Sequence, residues 1–312
     1  MNLHFTKLRN PWLVYLGFVG VCLLVFLNPL SALLRYAQTN DNASHILIIP
    51  FLFAGLLYHD RHKLPAVMVP DFRAMLCFAV PAVLLGAFFA PVFAAHSQLN
   101  LTVLTLSLFL FLVAGFVGIF GRAAAQREWF ALAFLVFTIP PPEALLNWVI
   151  YELQVGSSAI AGWIFDLAGV PVLREGFVFH LSGFNIEVAR ECSGIRSSIA
   201  LLILAVLIAH FSFRRMWRKV LFIVAGMLVM VVKNGVRIAT LTILAKYVDP
   251  GFLFGRLHHE GGAVFFLLAL ALLTPVYWLL RRDDVLESTT HQPEAALRNL
   301  PTRSHLTNPA AN

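Results

Sequence analysis

The chain contains eight apolar runs long enough, or nearly long enough, to cross a lipid bilayer, and this pattern limits its fold more than any other feature. A helix needs about 20 residues, at 1.5 Å each, to span the hydrocarbon core. Only 12% of the 312 residues are charged and 59% are hydrophobic, too few charges for the surface of a soluble protein of this length. The sequence therefore predicts an all-α polytopic membrane protein. The eight runs are Trp12–Leu34, His45–Tyr58, Ala74–Ala95, Leu99–Phe120, Trp129–Pro140, Gly194–Phe213, Val220–Tyr247 and Gly262–Leu280.

The longest connection between these runs, residues 141–193, contains two further predicted elements. The apolar stretch Val155–Val170 is shorter than a span and carries an acidic residue, which favours an interfacial or re-entrant helix. Two short runs, Phe177–Leu181 and Phe184–Val188, flank the pair Ser182-Gly183. A two-residue turn that contains glycine is typical of a hairpin. We therefore expect a small extracytoplasmic β-hairpin before the helix that follows Cys192.

Basic residues are distributed unevenly over the connections. Cytoplasmic connections of membrane proteins carry an excess of Lys and Arg. We therefore expect both termini in the cytoplasm of a multi-pass protein of the inner or plasma membrane. This topology also accounts for the net charge of +7 without a nucleic-acid partner. One alternate set of connections, which includes both termini, holds Lys7, Arg9, Arg61, Lys63, Arg73, Arg122, Arg127, Arg214, Arg215, Arg218, Lys219, Arg281 and Arg282, whereas the other holds Arg35, Arg174, Arg190, Lys246 and Arg256.

The composition changes once along the chain. After Arg282 the sequence becomes rich in Ser, Thr, Pro, Asn and Glu, which is typical of a disordered segment. We therefore expect a single integral-membrane domain over residues 1–282 and a disordered cytoplasmic tail over 283–312. The three cysteines are widely separated and have no metal-ligand spacing, so we expect no cofactor and no metal.

Cys192 stands at the predicted outer end of the sixth run, between Arg190 and Arg196. A helix N-terminus and nearby cations both stabilise a thiolate, which is the nucleophilic form of cysteine. Glu191 acts in the opposite direction, so the net effect is left open.

Lys233, Asn234 and Arg237 form a polar patch in the seventh run. Lys233 and Arg237 are one helical turn apart, so they share a helix face. Arg237 is ten residues, about 15 Å, inward of Tyr247 on a helix. Charged residues at bilayer depth are candidates for function. They could neutralise acidic groups elsewhere in the bundle, but the apolar runs contain almost none, so we expect a polar cavity open to the outside.

Arg256, His258 and His259 precede the eighth run on the same predicted outer side. A thiol, a base and a fixed cation can serve as nucleophile, proton shuttle and oxyanion partner in acyl transfer. The sequence therefore predicts that Cys192, Arg237 and a histidine form one site at the outer face.

Three motifs resemble the exosortase/archaeosortase family. They are Glu-Cys-Ser-Gly-Ile-Arg-Ser at 191–197, Asn-Gly-Val-Arg-Ile at 234–238 and His-His-Glu-Gly-Gly-Ala-Val-Phe-Phe at 258–266. The segment Gly-Val-Pro-Val-Leu-Arg-Glu-Gly at 169–176 is similar to the family's outer loop. The resemblance covers about residues 130–280, which would be the catalytic part of the membrane domain.

The resemblance implies a membrane cysteine enzyme that processes proteins with a C-terminal tripartite signal. That signal is a short motif such as Pro-Glu-Pro, a transmembrane helix and a basic cluster. Cys192 would form an acyl-enzyme, and Arg237 would stabilise the oxyanion or position the thiolate. His258, four residues before Gly262 as in the family pattern, would carry the proton, with His259 as the alternative. The residues predicted to contact the substrate are Arg196, Asn234 and His259.

Two classes of function without peptidase activity compete with this interpretation. A transporter or channel would use Lys233 and Arg237 to line an anion pathway, and a polysaccharide-export subunit would need none of the three residues Cys192, Arg237 and His258. The GxSxG and HExxH motifs of serine hydrolases and zinc proteases are absent. A thiol–disulfide exchanger would need a second cysteine near Cys192 in sequence, and the chain has none.

Overall fold

The computed structural model describes residues 10–65, 68–90, 98–190, 194–253 and 262–298. Most of these residues are helical, and three short strands interrupt the helices after residue 171. The helices are α1 Pro11–Val25, α2 Leu27–Thr39, α3 Ile49–Asp60, α4 Phe72–Phe89, α5 Gln98–Phe120, α6 Arg122–Arg127, α7 Trp129–Phe134, α8 Glu143–Leu167, α9 Ile195–Ser212, α10 Met216–Tyr247 and α11 Gly262–Arg298. The strands are β1 Val172–Glu175, β2 Val178–Leu181 and β3 Phe184–Glu187.

The described helices confirm a polytopic all-α membrane protein. Six helical segments are long and apolar enough to cross a bilayer, and two further pairs of helices reach this criterion only together. The predicted number of about eight spans is obtained when each bent pair counts as one. The six segments are Asp41–Asp60, Phe72–Phe89, Gln98–Phe120, Ile195–Ser212, Met216–Tyr247 and Gly262–Arg282.

The first bent pair replaces the single span predicted over Trp12–Leu34. Helices α1 and α2 meet at an angle of 80°. The physical reason is Pro29, which lacks an N–H to donate to the carbonyl of Val25 and whose ring clashes with that carbonyl. Helix α1 accordingly ends at Val25.

The second bent pair results from the proline run at 140–142. Helix α7 continues as a 3₁₀ turn to Thr138, and α8 starts at Glu143 at an angle of 89°. The predicted short helix Val155–Val170 therefore exists, but it is the second half of a 25-residue helix that ends at Leu167. An interfacial or re-entrant arrangement remains compatible with this bend.

The chain divides into two compact units, Met1–Glu152 and Leu153–Asn312. In the first unit, α5 packs against α1 and α4, and Tyr15 makes edge contacts with Phe116 and Phe120. In the second unit, α9, α10 and α11 pack around an apolar core. That core comprises Ala205, Ala209, Phe213, Phe222, Leu273 and Leu280.

The predicted hairpin is present and belongs to a slightly larger sheet. Strands β2 and β3 pair antiparallel, with Leu181 opposite Phe184 across the turn. A third strand, β1, pairs antiparallel with β2 on the other side, with Glu175 opposite Val178. Apolar residues of the sheet pack on α8 and α10 in one cluster, so the sheet covers both helices. The buried members of the cluster are Ala161, Phe165, Val170, Phe179, Leu181, Val188, Ile238 and Ala239.

The disordered cytoplasmic tail predicted over 283–312 stays a prediction. Helix α11 runs on to Arg298, and the residues after it lie outside the described part of the chain. The single membrane domain over residues 1–282 stays a prediction.

Candidate active site

Two helices of the second unit, α9 and α10, and the part of α8 after Glu152 meet where α9 begins. Helices α9 and α10 are joined by the short connection 213–215 and pack along each other. The first turn of α9 therefore lies beside the second half of α10. Helix α8 packs closely on the same part of α10, as the contacts of Gly156 and Gly235 show.

Lys233 is the buried cation of this junction. Its side chain is only 1% exposed, and its Nζ donates a hydrogen bond to Oγ of Ser197, in the first turn of α9. The Ser197 hydroxyl in turn donates to the carbonyl oxygen of Gly194 at 3.0 Å. A buried ammonium is stable only when it is hydrogen-bonded, and Ser197 supplies part of that bonding. Two successive hydrogen bonds therefore connect Lys233 to Gly194, the residue that caps α9.

Gly194 fits this place because it has no side chain. Its φ of +71° is left-handed, a conformation that residues with a Cβ adopt only with strain. A Cβ on Gly194 would lie 2.7 Å from Oδ1 of Asn234 and 3.3 Å from Nζ of Lys233. The backbone at the start of α9 therefore packs directly on the two polar side chains of α10.

Asn234 joins α10 to α8. It is fully buried, and its Nδ2 donates to Oγ of Ser157 at 3.0 Å. The helices approach closely here because Gly235 has no side chain: a Cβ would lie 2.5 Å from Cβ of Ile160. This placement gives the Asn234 amide a role in holding the helices together, and its contact with a substrate stays a prediction.

Arg237 follows one turn after Lys233 on α10. The residue is half-buried, and its Nε is shielded from solvent. The next two residues, Ile238 and Ala239, belong to the apolar cluster beneath the sheet. Arg237 is therefore placed between the buried Lys233 and the part of α10 that the sheet covers.

The end of the sheet is tied to α8 near this junction. Nε2 of Gln154 donates to the carbonyl oxygen of Val188 at 2.7 Å. Val188 itself is buried, and its N–H donates to the carbonyl of Phe177 at 2.9 Å. These bonds fix the chain two residues before Arg190, the last described residue ahead of the Cys192 motif.

The lengths of α9 and α10 show which part of α10 lies beside the start of α9. Helix α9 has 18 residues, or about 27 Å, close to the thickness of the hydrocarbon core. Fourteen residues of α10, or about 21 Å, follow Lys233 before the helix ends at Tyr247. The end of α10 therefore extends past the first turn of α9. Since Lys233 pairs with that first turn, Lys233 lies level with the start of α9, and Arg237 lies one turn further along α10.

The predicted site residues fall into two groups. Cys192, His258 and His259 lie outside the described residues, as does Arg256. Arg237 and Asn234 lie three residues apart on α10. Arg196 is exposed in the first turn of α9, whereas its neighbour Ser197 contacts Lys233. Where the structure describes the chain, no group of three His, Cys, Asp or Glu residues could hold a metal ion.

Three contributors were not predicted from the sequence. Ser197 is the last residue of the first motif, and the motif alone predicts no role for it. Ser157 and Gln154 on α8 belong to none of the motifs, although polar residues spaced by three on a largely apolar helix are a signal for a shared buried face. Lys233 was expected to line an open cavity, but the structure buries it in a hydrogen bond.

Comparison with known proteins gives one match. A family model described as transmembrane exosortase matches residues 37–275, which is most of the chain. No curated protein and no solved structure matches.

Proposed function

The chain belongs to the transmembrane exosortase family, and we propose that it is a membrane-embedded cysteine sorting enzyme. Its substrates are exported proteins anchored by a C-terminal tripartite signal, and it cleaves them at the extracytoplasmic face of the inner or plasma membrane. Both termini are cytoplasmic in this proposal, because the basic residues concentrate on their side.

The observation that supports the proposal is the placement of the Lys233 cation beside the start of α9. Gly194 caps α9 and packs on Lys233 and Asn234, with Arg237 one turn further along α10. Cys192 precedes Gly194 by only two positions in the chain, and consecutive Cα atoms are about 3.8 Å apart. Chain connectivity therefore limits how far the Cys192 thiol can be from this cationic junction.

The proposed reaction is acyl transfer through a thioester. The Cys192 thiolate attacks the scissile carbonyl, and Arg237 stabilises the oxyanion that forms. The C–N bond then breaks, and His258 gives a proton to the leaving amine. Water, or an amine, then attacks the thioester, His258 takes up its proton, and the C–S bond breaks to release the thiolate. Lys233 does not touch the substrate in this scheme; it is a positioning residue that fixes Ser197 and Gly194.

The decisive experiment is co-expression with a substrate that carries the tripartite tail. We expect the Cys192→Ala variant to accumulate only the uncleaved substrate, while the matched control Cys77→Ala retains processing. His258→Ala is expected to abolish processing as well, and His259→Ala to reduce it less. Cleavage that persists in the Cys192→Ala strain would overturn the proposal.

The transporter alternative receives no support from the described residues. An ion pathway would need Lys233 accessible to water, but its side chain is almost entirely buried and bonded to Ser197. A transporter would also be unaffected by Cys192→Ala, so the same experiment separates the two classes.

A further inference from the structure

The first compact unit contains a groove that the sorting reaction does not use. It has a volume of about 820 Å³, which is within the range of small-molecule sites. Four helices contribute to it: the start of α4, the second half of α5, and the short helices α6 and α7. The start of α4 and the end of α5 lie on the side of the membrane that the basic residues mark as cytoplasmic.

The groove has a charged mouth and an apolar interior. Arg73 and Arg122 line the mouth, and Phe109, Val113 and Val117 of α5 line the interior. Val113 and Val117 are buried, whereas both arginines are exposed. Such a division suits an amphiphile with an anionic head and hydrocarbon chains.

One acidic residue, Asp71, also lines the groove. Asp71 caps α4, and its Oδ1 accepts a hydrogen bond from the N–H of Ala74 at 2.9 Å. Within the described parts of the chain, neither Arg73 nor Arg122 forms an ion pair. Two guanidinium groups are therefore available at the mouth, and guanidinium is the side chain best suited to a phosphate.

Helix α4 opens the groove towards lipid. Half of the residues of this helix are exposed, including Leu76, Val80 and Leu84, and only Ala82 is buried, so it is a peripheral span. A membrane lipid can thus reach the groove by lateral diffusion. We propose that the groove binds an anionic phospholipid, with the phosphate at Arg73 and Arg122 and the acyl chains along α5. The basic cluster of a sorting signal would be repelled by the same arginines.

Cys77 allows the occupant to be measured without any assay of cleavage. This cysteine is exposed and lines the groove. The full chain would be placed in nanodiscs of phosphatidylcholine, with or without phosphatidylglycerol. Peptide-level mass spectrometry would then measure how fast N-ethylmaleimide alkylates Cys77. A basic residue near an anionic lipid contributes about a factor of five in affinity. We therefore expect phosphatidylglycerol to slow the alkylation severalfold.

The variants test both parts of the groove. Arg73→Gln with Arg122→Gln is expected to abolish the effect of phosphatidylglycerol, and the matched control Arg282→Gln to retain it. Ala133→Trp places a bulky side chain at an exposed position of the groove and should remove the lipid dependence without a buried substitution.

Three results would overturn the proposal. One is equal alkylation of the wild-type chain in both lipid mixtures. Another is equal protection by soluble glycerol phosphate in phosphatidylcholine, which would indicate a phosphate site without a lipid. The third is protection by a transmembrane peptide with a basic cluster, which would identify a sorting signal as the occupant.

Discussion

At the scale of single residues, Lys233 is the most informative side chain of the described site. Burial of an unpaired ammonium costs several kcal/mol, so a lysine persists in this position only with compensation. The hydroxyl of Ser197 accepts a hydrogen bond from Lys233 and donates its own to the carbonyl of Gly194. The cation is thereby held beside the residue that follows Cys192 by two positions.

We expect Lys233→Met to slow the alkylation of Cys192 at neutral pH by roughly three- to tenfold, because a nearby positive charge stabilises the thiolate. Without the cation, the alkylation rate of Cys192 should begin to increase only at a higher pH. Lys233→Arg should restore much of the rate, and Lys246→Met, on the same helix, is the control. A pH profile that does not move in Lys233→Met would show that Lys233 has only a structural role.

Gly194 gives a second residue-scale prediction. Alanine there meets both a left-handed backbone, which costs about 1–2 kcal/mol, and the side chain of Asn234. We expect Gly194→Ala to lower the free energy of unfolding by about 2–4 kcal/mol, measured by denaturation in detergent. Gly169→Ala is the matched control, since Gly169 has a φ of +65° but open space around it. Equal losses in both variants would mean that the contact with Asn234 contributes nothing.

At the scale of elements, the close packing of α8 on α10 depends on small residues. A Cβ on Gly156 would lie 2.6 Å from Cγ1 of Val231, and a Cβ on Gly235 would lie 2.5 Å from Cβ of Ile160. Small residues allow helices in a membrane to approach until backbone and side chains interlock. The hydrogen bond between Asn234 and Ser157 forms across this contact.

Gly235→Ala should therefore separate α8 from α10, with a loss of about 1–3 kcal/mol from overpacking. The measurement is the thermal midpoint in detergent. Gly162→Ala on α8 provides the comparison, because its Cβ would lie 3.8 Å from Phe179 in ordinary contact. There we expect little change or a slight stabilisation, since alanine favours a helix over glycine. A similar midpoint in both variants would contradict the close-packing interpretation.

The elements also differ in how far the sequence could predict them. Hydrophobic runs identified the spans, and the Ser182-Gly183 turn identified the hairpin, because both depend on local pattern. Strand β1 was missed since its partner, β2, defines it only in three dimensions. The break between α1 and α2 could have been predicted from the sequence, because Pro29 cannot donate a hydrogen bond to the carbonyl of Val25 and its ring clashes with that carbonyl. The residues of the site were named by motif, but the hydrogen bonds of Asn234 to Ser157 and of Lys233 to Ser197 depend on helix packing.

At the scale of the whole molecule, the unequal distribution of basic residues predicts which ends face the cytoplasm. Cysteine at Ser182 in the hairpin turn and at Ala123 in α6 can test it, since both positions are exposed. In a chain whose native cysteines are replaced by alanine, Ser182→Cys should react with a membrane-impermeant maleimide in intact cells. Ala123→Cys should react only after permeabilisation. The reverse pattern would invert the proposed topology and place the site in the cytoplasm.

The hydrogen bonds that Lys233 and Asn234 make restrict how such a chain can change over evolution. The two side chains bond to different neighbouring helices, and each residue inserted into a helix rotates all later positions by about 100°. A one-residue insertion or deletion between Met216 and Lys233 would turn both side chains away from their partners at once. Length variation among related chains is therefore expected in the connections and in the segment after Arg282, while the first half of α10 keeps a fixed number of residues.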